Sequence, residues 1–77
     1  MQSTRTVLIT GGNRGIGFAI AEEFIASGYQ VAVTARSGSG PVGAMTVIAD
    51  VTNSESLDAE IAAVEAELGP ISILVAN

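Results

Sequence analysis

Four short apolar runs punctuate the chain, separated by two longer stretches in which apolar and polar positions recur at helical spacing. The runs are Thr6 to Thr10 (TVLIT), Gln30 to Thr34 (QVAVT), Met45 to Ala49 (MTVIA) and Ile71 to Ala76 (ISILVA). Their near-continuous apolarity, rich in β-branched residues, predicts strands covered on both faces, as in a parallel sheet. Between the first two, Ile16 to Ser27 keeps only Glu22, Glu23 and Ser27 polar, and Gly28 follows where a left-handed residue commonly closes a helix. A helix packed on a sheet is the expectation. In the second long stretch Leu57, Ile61, Val64 and Leu68 fall at i, i+4, i+7 and i+11, which stacks them along one stripe. Thr52 and Glu55 form a capping-box pair at its start, and Gly69-Pro70 stops it.

On the wheel of this second helix the acids flank the apolar stripe, while Ala59, Ala62, Ala63 and Ala66 cover the opposite face. Alanine serves a solvated helix face through its propensity. It serves equally a second close-packing surface, and both readings stand. Ser37 to Gly43 (SGSGPVG) has the composition of a flexible loop and is too short for a regular crossover helix. The order strand, helix, strand, loop, strand, helix, strand therefore predicts an α/β fold: the N-terminal portion of a doubly wound parallel sheet, with four strands, two helices and right-handed crossovers.

Seventy-seven residues make one small domain at most, and 48% apolar against 14% charged residues suits a globular unit. No apolar run approaches the roughly 18 to 20 residues needed to cross a bilayer, and the polar start MQSTR is unlike a signal peptide. The expectation is a cytoplasmic chain with no membrane partner. Cysteine and histidine are absent, which removes disulfides, thiolate nucleophiles and the commonest metal ligands, so no metal site is expected. A net charge of −5 argues against nucleic acid as a partner. Seven of the eight acids lie in the predicted helices, whereas Arg14 and Arg36 lie in loops just after strands, and there is no lysine. Two arginines so placed in an acidic chain mark either a local anion site or two exposed loop residues without a task.

Gly11, Gly15 and Gly17 give the spacing G-x-x-x-G-x-G immediately after a strand and opening into a helix. A tight strand-to-helix turn uses glycine for steric reasons alone. A nucleotide-binding loop uses it so that the chain can turn, the backbone can approach a pyrophosphate, and the helix can press on the sheet. Amides at the helix start then face the anion. Without lysine a Walker-type phosphate loop is excluded. Where a dinucleotide fold often ends its second strand in an acid that bonds the ribose hydroxyls, this chain has Thr34-Ala35-Arg36. Arg36 offers a forked donor to a 2′-phosphate and Arg14, in the glycine loop, is placed to share it; each such bond contributes on the order of 1.5 to 3 kcal/mol. The pair predicts NADP(H) rather than NAD(H). Asp50, at the end of the third strand, is a turn or capping residue or else an acceptor for an adenine amino group.

With these residues in view, T-G-G-N-R-G-I-G (Thr10 to Gly17), D-V-T (Asp50 to Thr52) and L-V-A-N (Leu74 to Asn77) together resemble the short-chain dehydrogenase/reductase family over essentially the whole chain. Within it, N-R-G-I-G, V-A-V-T-x-R and the S-G-S-G-P connection resemble the actinobacterial 3-oxoacyl-[acyl-carrier-protein] reductases of the FabG type. The resemblance implies that Gly11, Gly12, Asn13, Arg14, Gly15, Ile16 and Gly17 line the NADPH phosphates and ribose, with Arg36 at the 2′-phosphate. It implies too that Asp50 and Val51 frame the adenine and that Asn77 begins a turn beside the cofactor. Residues 1–77 are then a partial NADP(H)-binding Rossmann domain, cut after strand four, of a ketoreductase that is usually a homotetramer and acts on a substrate linked to acyl carrier protein. No catalytic residue is expected among the 77: the family's Tyr-x-x-x-Lys pair needs a lysine, and Val33 stands four residues after the sole tyrosine, Tyr29. The alternative of another class is a noncatalytic dinucleotide-binding or interaction module. It would leave the apolar residues of the fourth strand without neighbours on their far side.

Overall fold

The computed structural model describes residues 5–12, 14–48 and 54–76. They fold as β1 (Thr6–Ile9), α1 (Gly15–Ala26), β2 (Gln30–Ala35), β3 (Ala44–Ile48), α2 (Ser54–Leu68) and β4 (Ile71–Val75). The strands form one parallel sheet in the order β3-β2-β1-β4. The second strand of the chain thus lies on one side of β1 and the fourth on its other side, so the strand order reverses beside β1. In open α/β sheets that reversal, at the carboxyl ends of the strands, is where ligands bind. The predicted elements all appear, with ends displaced by a residue or so.

Alternation along the strands builds two cores, one on each face of the sheet. Val7, Ile9, Val31 and Val33 point to the face covered by α1, where Ala21 is fully buried and Ile20, Phe24, Ile25 and Tyr29 pack around them. Leu8 and Ala32 point to the other face, under Val64, Ile61 and Leu68 of α2, with Met45 and Val47 alongside. Three residues of the predicted α2 stripe thus reach the core. Leu57 is half-buried, and Ala59, Ala62, Ala63 and Ala66 are exposed, as on a solvated helix face. Glu60 departs from its flanking neighbours: one turn before Val64, it is 4% exposed. A register shift between Thr6 and Val7 puts Ile71 opposite Thr6 but Ile73 opposite Val7, so Ile71 joins the α2 side and Ile73 and Val75 the α1 side.

Helix α1 ends in a Schellman motif. The Gly28 N–H donates to the Ile25 carbonyl and the Tyr29 N–H to the Phe24 carbonyl, with Gly28 in the left-handed region at φ 92°. The apolar contact that accompanies such an end is the edge-to-face pair of Phe24 and Tyr29, their ring centroids 5.0 Å apart. Tyr29 is therefore a packing residue at the helix-to-strand turn. Gly69, at φ 90°, ends α2, where the Ile71 N–H donates to Glu65 Oε2. The capping box expected at the start of α2 depends on Thr52, which lies outside the described residues.

Candidate functional site

Strands β1 and β2 run parallel in the register Ile9 to Val33, so the segments that leave them emerge at the same edge of the sheet. The glycine turn leaves β1 and Arg36 follows β2 directly. Two hydrogen bonds hold the turn at its start. The Thr10 N–H donates to the Val75 carbonyl at 3.0 Å, tying the end of β1 to the end of β4, and the Gly11 N–H donates to Thr34 Oγ1 at 3.1 Å. The hydroxyl that accepts the second bond belongs to a residue 1% exposed.

The glycines of the turn are not all glycine for the same reason. Gly11 and Gly15 stand at φ 68° and 64°, where an L side chain is disfavoured. Gly12 is limited by space: a Cβ built there falls 2.4 Å from Val33 Cγ1. A Cβ built on Gly15 meets nothing within 4 Å, so the turn is open on that side. Gly17 is buried in the first turn of α1. The turn's backbone thus lies against β2 on one side and faces free space on the other. A bound phosphate needs both.

The N-terminus of α1 is suited to an anion. Arg14 is its N-cap, extended at φ −165° and ψ 166°, and makes no side-chain cap hydrogen bond; the first turn contains no acid. The initial amides of a helix are unpaired within it and carry the positive end of its dipole. Here their charge is left for a ligand rather than quenched by a carboxylate. Arg14, Gly15 and Ile16 are exposed, Ile16 at 73%, and Arg36 is exposed at the end of β2.

The structure therefore brings Gly11, Gly12, Arg14, Gly15, Ile16, Gly17 and Arg36 to one edge of the sheet. Asn13, Asp50, Val51 and Asn77 lie outside the described residues. Two contributors were not singled out in the sequence. Thr34 looks like one more β-former, yet it anchors Gly11; Thr46 interrupts an apolar strand, and its hydroxyl accepts from the Gly40 N–H at 3.0 Å. That polar break in β3 was the available signal. Among the described residues no group of three or more acids could hold a metal ion, and no helix is long and apolar enough to cross a membrane.

The chain matches the family model for short chain dehydrogenase over residues 5–77. It is 50% identical over 74 residues to the 3-oxoacyl-[acyl-carrier-protein] reductase MabA of Mycobacterium tuberculosis, covering 96% of this chain and 30% of that protein. To an acetoacetyl-CoA reductase of Shinella zoogloeoides it is 44% identical over 81 residues, covering 96% of this chain and 34% of that one. The ligand-free aldohexose dehydrogenase of Thermoplasma acidophilum superposes with a TM-score of 0.89 at 36% identity, over 96% of this chain and 29% of that one. The chain thus spans about a third or less of the length of these relatives.

Proposed function

Because this chain belongs to the short-chain dehydrogenase family, we propose that its glycine turn, Arg14 and Arg36 bind NADP(H) in a reductase that acts on the ketone of a 3-oxoacyl thioester. The observation that carries the proposal is the pairing of an uncapped helix N-terminus, reached through a turn with no room for a Cβ at Gly12, with an arginine directly after β2. The first feature accepts a pyrophosphate through backbone amides. The second supplies a fork of donors for a 2′-phosphate where a carboxylate would repel it.

When bound, the dinucleotide supplies a hydride to a carbonyl carbon. These residues hold and orient the adenosine end and its phosphates: Gly12 lets the turn lie against Val33, Thr34 fixes Gly11, and Arg36 marks the side on which the ribose would lie. Proton delivery to the carbonyl oxygen is not theirs, since Tyr29 is packed on Phe24 and these 77 residues contain no lysine to pair with it. Similarity to MabA supports a 3-oxoacyl substrate carried on acyl carrier protein, and similarity to acetoacetyl-CoA reductase supports a thioester of that kind; that the whole protein is a cytoplasmic homotetramer is part of the proposal and rests on the family resemblance alone.

Dissociation constants for NADPH and NADH, measured on the intact protein and on Arg36→Ala, test the cofactor assignment. The expected outcome is a preference for NADPH that Arg36→Ala removes; equal affinities in the unaltered protein would refute it. Turnover of a 3-oxoacyl thioester with NADPH tests the reaction, and binding without turnover would favour a noncatalytic module.

A further inference from the structure

The segment between β2 and β3, whose composition reads as flexible, is held against the glycine turn. Gly40 lies over the α1 face of the sheet where Val33 of β2 and Thr46 of β3 are paired. Its N–H donates to Thr46 Oγ1 at 3.0 Å, and a Cβ built on it would stand 2.5 Å from Val33 Cγ2 and 3.6 Å from the Gly12 carbonyl oxygen. Pro41, the next residue, is buried. The Pro41 carbonyl accepts from the Ala44 N–H in a turn whose third residue, Gly43, stands at φ 100°, where a Cβ built on it would be 3.3 Å from Ile25 Cγ2 of α1.

Val33 is consequently gripped from two sides. A Cβ built on Gly12 would meet its Cγ1 and one built on Gly40 its Cγ2, and the residue is wholly buried. Rotation about χ1 vacates one of these positions only by turning a methyl into the third, inside a site that is wholly buried. A side chain added at position 40 must therefore move either the loop or this packed valine. That loop is the one that begins at Arg36.

We infer that Gly40 is a positioning residue for cofactor choice: by letting the loop lie on Val33 beside the Gly12 carbonyl, and by its bond to Thr46, it sets where Arg36 presents its guanidinium to the 2′-phosphate of the adenosine. This rests on the NADP(H) reading above. A forked donor is sensitive to placement, since two bonds must align at once, whereas the turn that carries the pyrophosphate is anchored separately through Thr34 and Val75. Gly40 thus acts on the phosphorylated ribose and leaves the rest of the dinucleotide alone.

The test compares adenosine 2′,5′-bisphosphate with adenosine 5′-monophosphate, by titration calorimetry on the intact protein and on Gly40→Ala, Thr46→Val, Thr46→Ser and Arg36→Ala. Gly40→Ala is expected to weaken the bisphosphate about tenfold, the equivalent of one charge-assisted bond misaligned, and the monophosphate less than about twofold. Thr46→Val, which keeps the volume and removes the acceptor, gives a smaller loss in the same direction, and Thr46→Ser restores binding. It also keeps the question answerable if Gly40→Ala does not fold. Equal losses for both ligands, or none for either, would overturn the role of Gly40 while leaving that of Arg36 intact. If Arg36→Ala does not lower the preference for the bisphosphate, the NADP(H) reading fails and this inference fails with it.

Discussion

Placing a methyl group on Gly12 is the most direct challenge to the geometry of the turn. Its φ lies outside the left-handed region, so alanine is admissible to the backbone and only space opposes it. The new Cβ would stand 2.4 Å from Val33 Cγ1 and 2.8 Å from Val33 Cβ, with Ile9 Cγ2 at 3.4 Å. Carbon atoms in contact settle at about 3.5 to 4.0 Å, so the turn must rise by roughly an ångström. Rotation of Val33 does not clear the contact, for its Cβ, which χ1 leaves in place, is itself within 2.8 Å. Overpacking of this kind costs about 1 to 3 kcal/mol, and displacement of the amides by that distance lowers cofactor affinity as well.

The same geometry supplies its own control. Val33→Ala removes both methyls, at about 0.8 kcal/mol each plus a cavity term, or about 2 kcal/mol in all. If the two changes were independent, the double variant would lose the sum, about 4 kcal/mol. Val33→Ala removes the contact at 2.4 Å but keeps the Cβ at 2.8 Å, so Gly12→Ala/Val33→Ala is expected to lose less than the sum, a coupling on the order of 1 kcal/mol. Urea unfolding of the four proteins, followed by circular dichroism at equal concentration without cofactor, reads this directly. Additive losses would show that Val33 is not what excludes a side chain at position 12.

Gly28→Ala meets no atom within 4 Å but forces φ 92° on an L residue, so it is expected to cost about 1 to 2 kcal/mol of stability with NADPH affinity unchanged; calorimetric unfolding showing no loss would count against the Schellman closure. Thr34→Val removes the hydroxyl that accepts from the Gly11 N–H and should destabilise the protein by about 1 to 3 kcal/mol, with Thr34→Ser close to the unaltered protein. If valine and serine behave alike in thermal unfolding, that bond is not holding the turn. Arg36→Glu should reverse the cofactor preference, because a carboxylate repels the 2′-phosphate and can accept from the ribose hydroxyls; a variant that still prefers NADPH would rule out Arg36 as the selector. Since a phosphate monoester takes up its second proton near about pH 6, the advantage of NADPH over NADH is expected to be full above that pH and to shrink as the pH falls through it. A pH-independent ratio of dissociation constants would mean that the charge of the 2′-phosphate is not what is recognised.

The fold was legible because burial on both faces of a parallel sheet leaves a plain trace. Runs such as TVLI and QVAVTA have no polar alternation to obscure them, and every residue of β1 is buried. Helix α2 was legible from its stripe, whose Val64 is fully buried. What the pattern could not give was depth. Glu60 sits between Leu57 and Val64 in the turn that faces the sheet, and its carboxylate is buried despite its charge. Nor could alternation anticipate the shift between Thr6 and Val7, which sends Ile71 and Ile73 to opposite faces although they are two residues apart.

The site was half legible for a related reason: one letter stands for several physical causes. The glycines of the turn were recognised as a group, but Gly11 and Gly15 are required by φ whereas Gly12 is required by the methyl of a residue 21 positions later, a cause that exists only once β1 and β2 are paired. Gly38 and Gly40 look alike within SGSGPVG, yet a Cβ on Gly38, at φ 81°, would meet nothing within 4 Å, and one on Gly40 would strike Val33. Composition assigns that segment flexibility, since glycine and serine leave the unfolded chain many conformations. Packing assigns its midpoint the opposite, a backbone held on a buried valine and hydrogen-bonded to Thr46. The distinction matters for function because a loop free to wander would dilute the guanidinium of Arg36 over many positions, and part of each bond to a phosphate would be spent on ordering it. A loop already lying on the sheet avoids that loss, so under the NADP(H) proposal discrimination between two coenzymes that differ by a single phosphate would depend on a glycine four residues away from the arginine placed to make the contact.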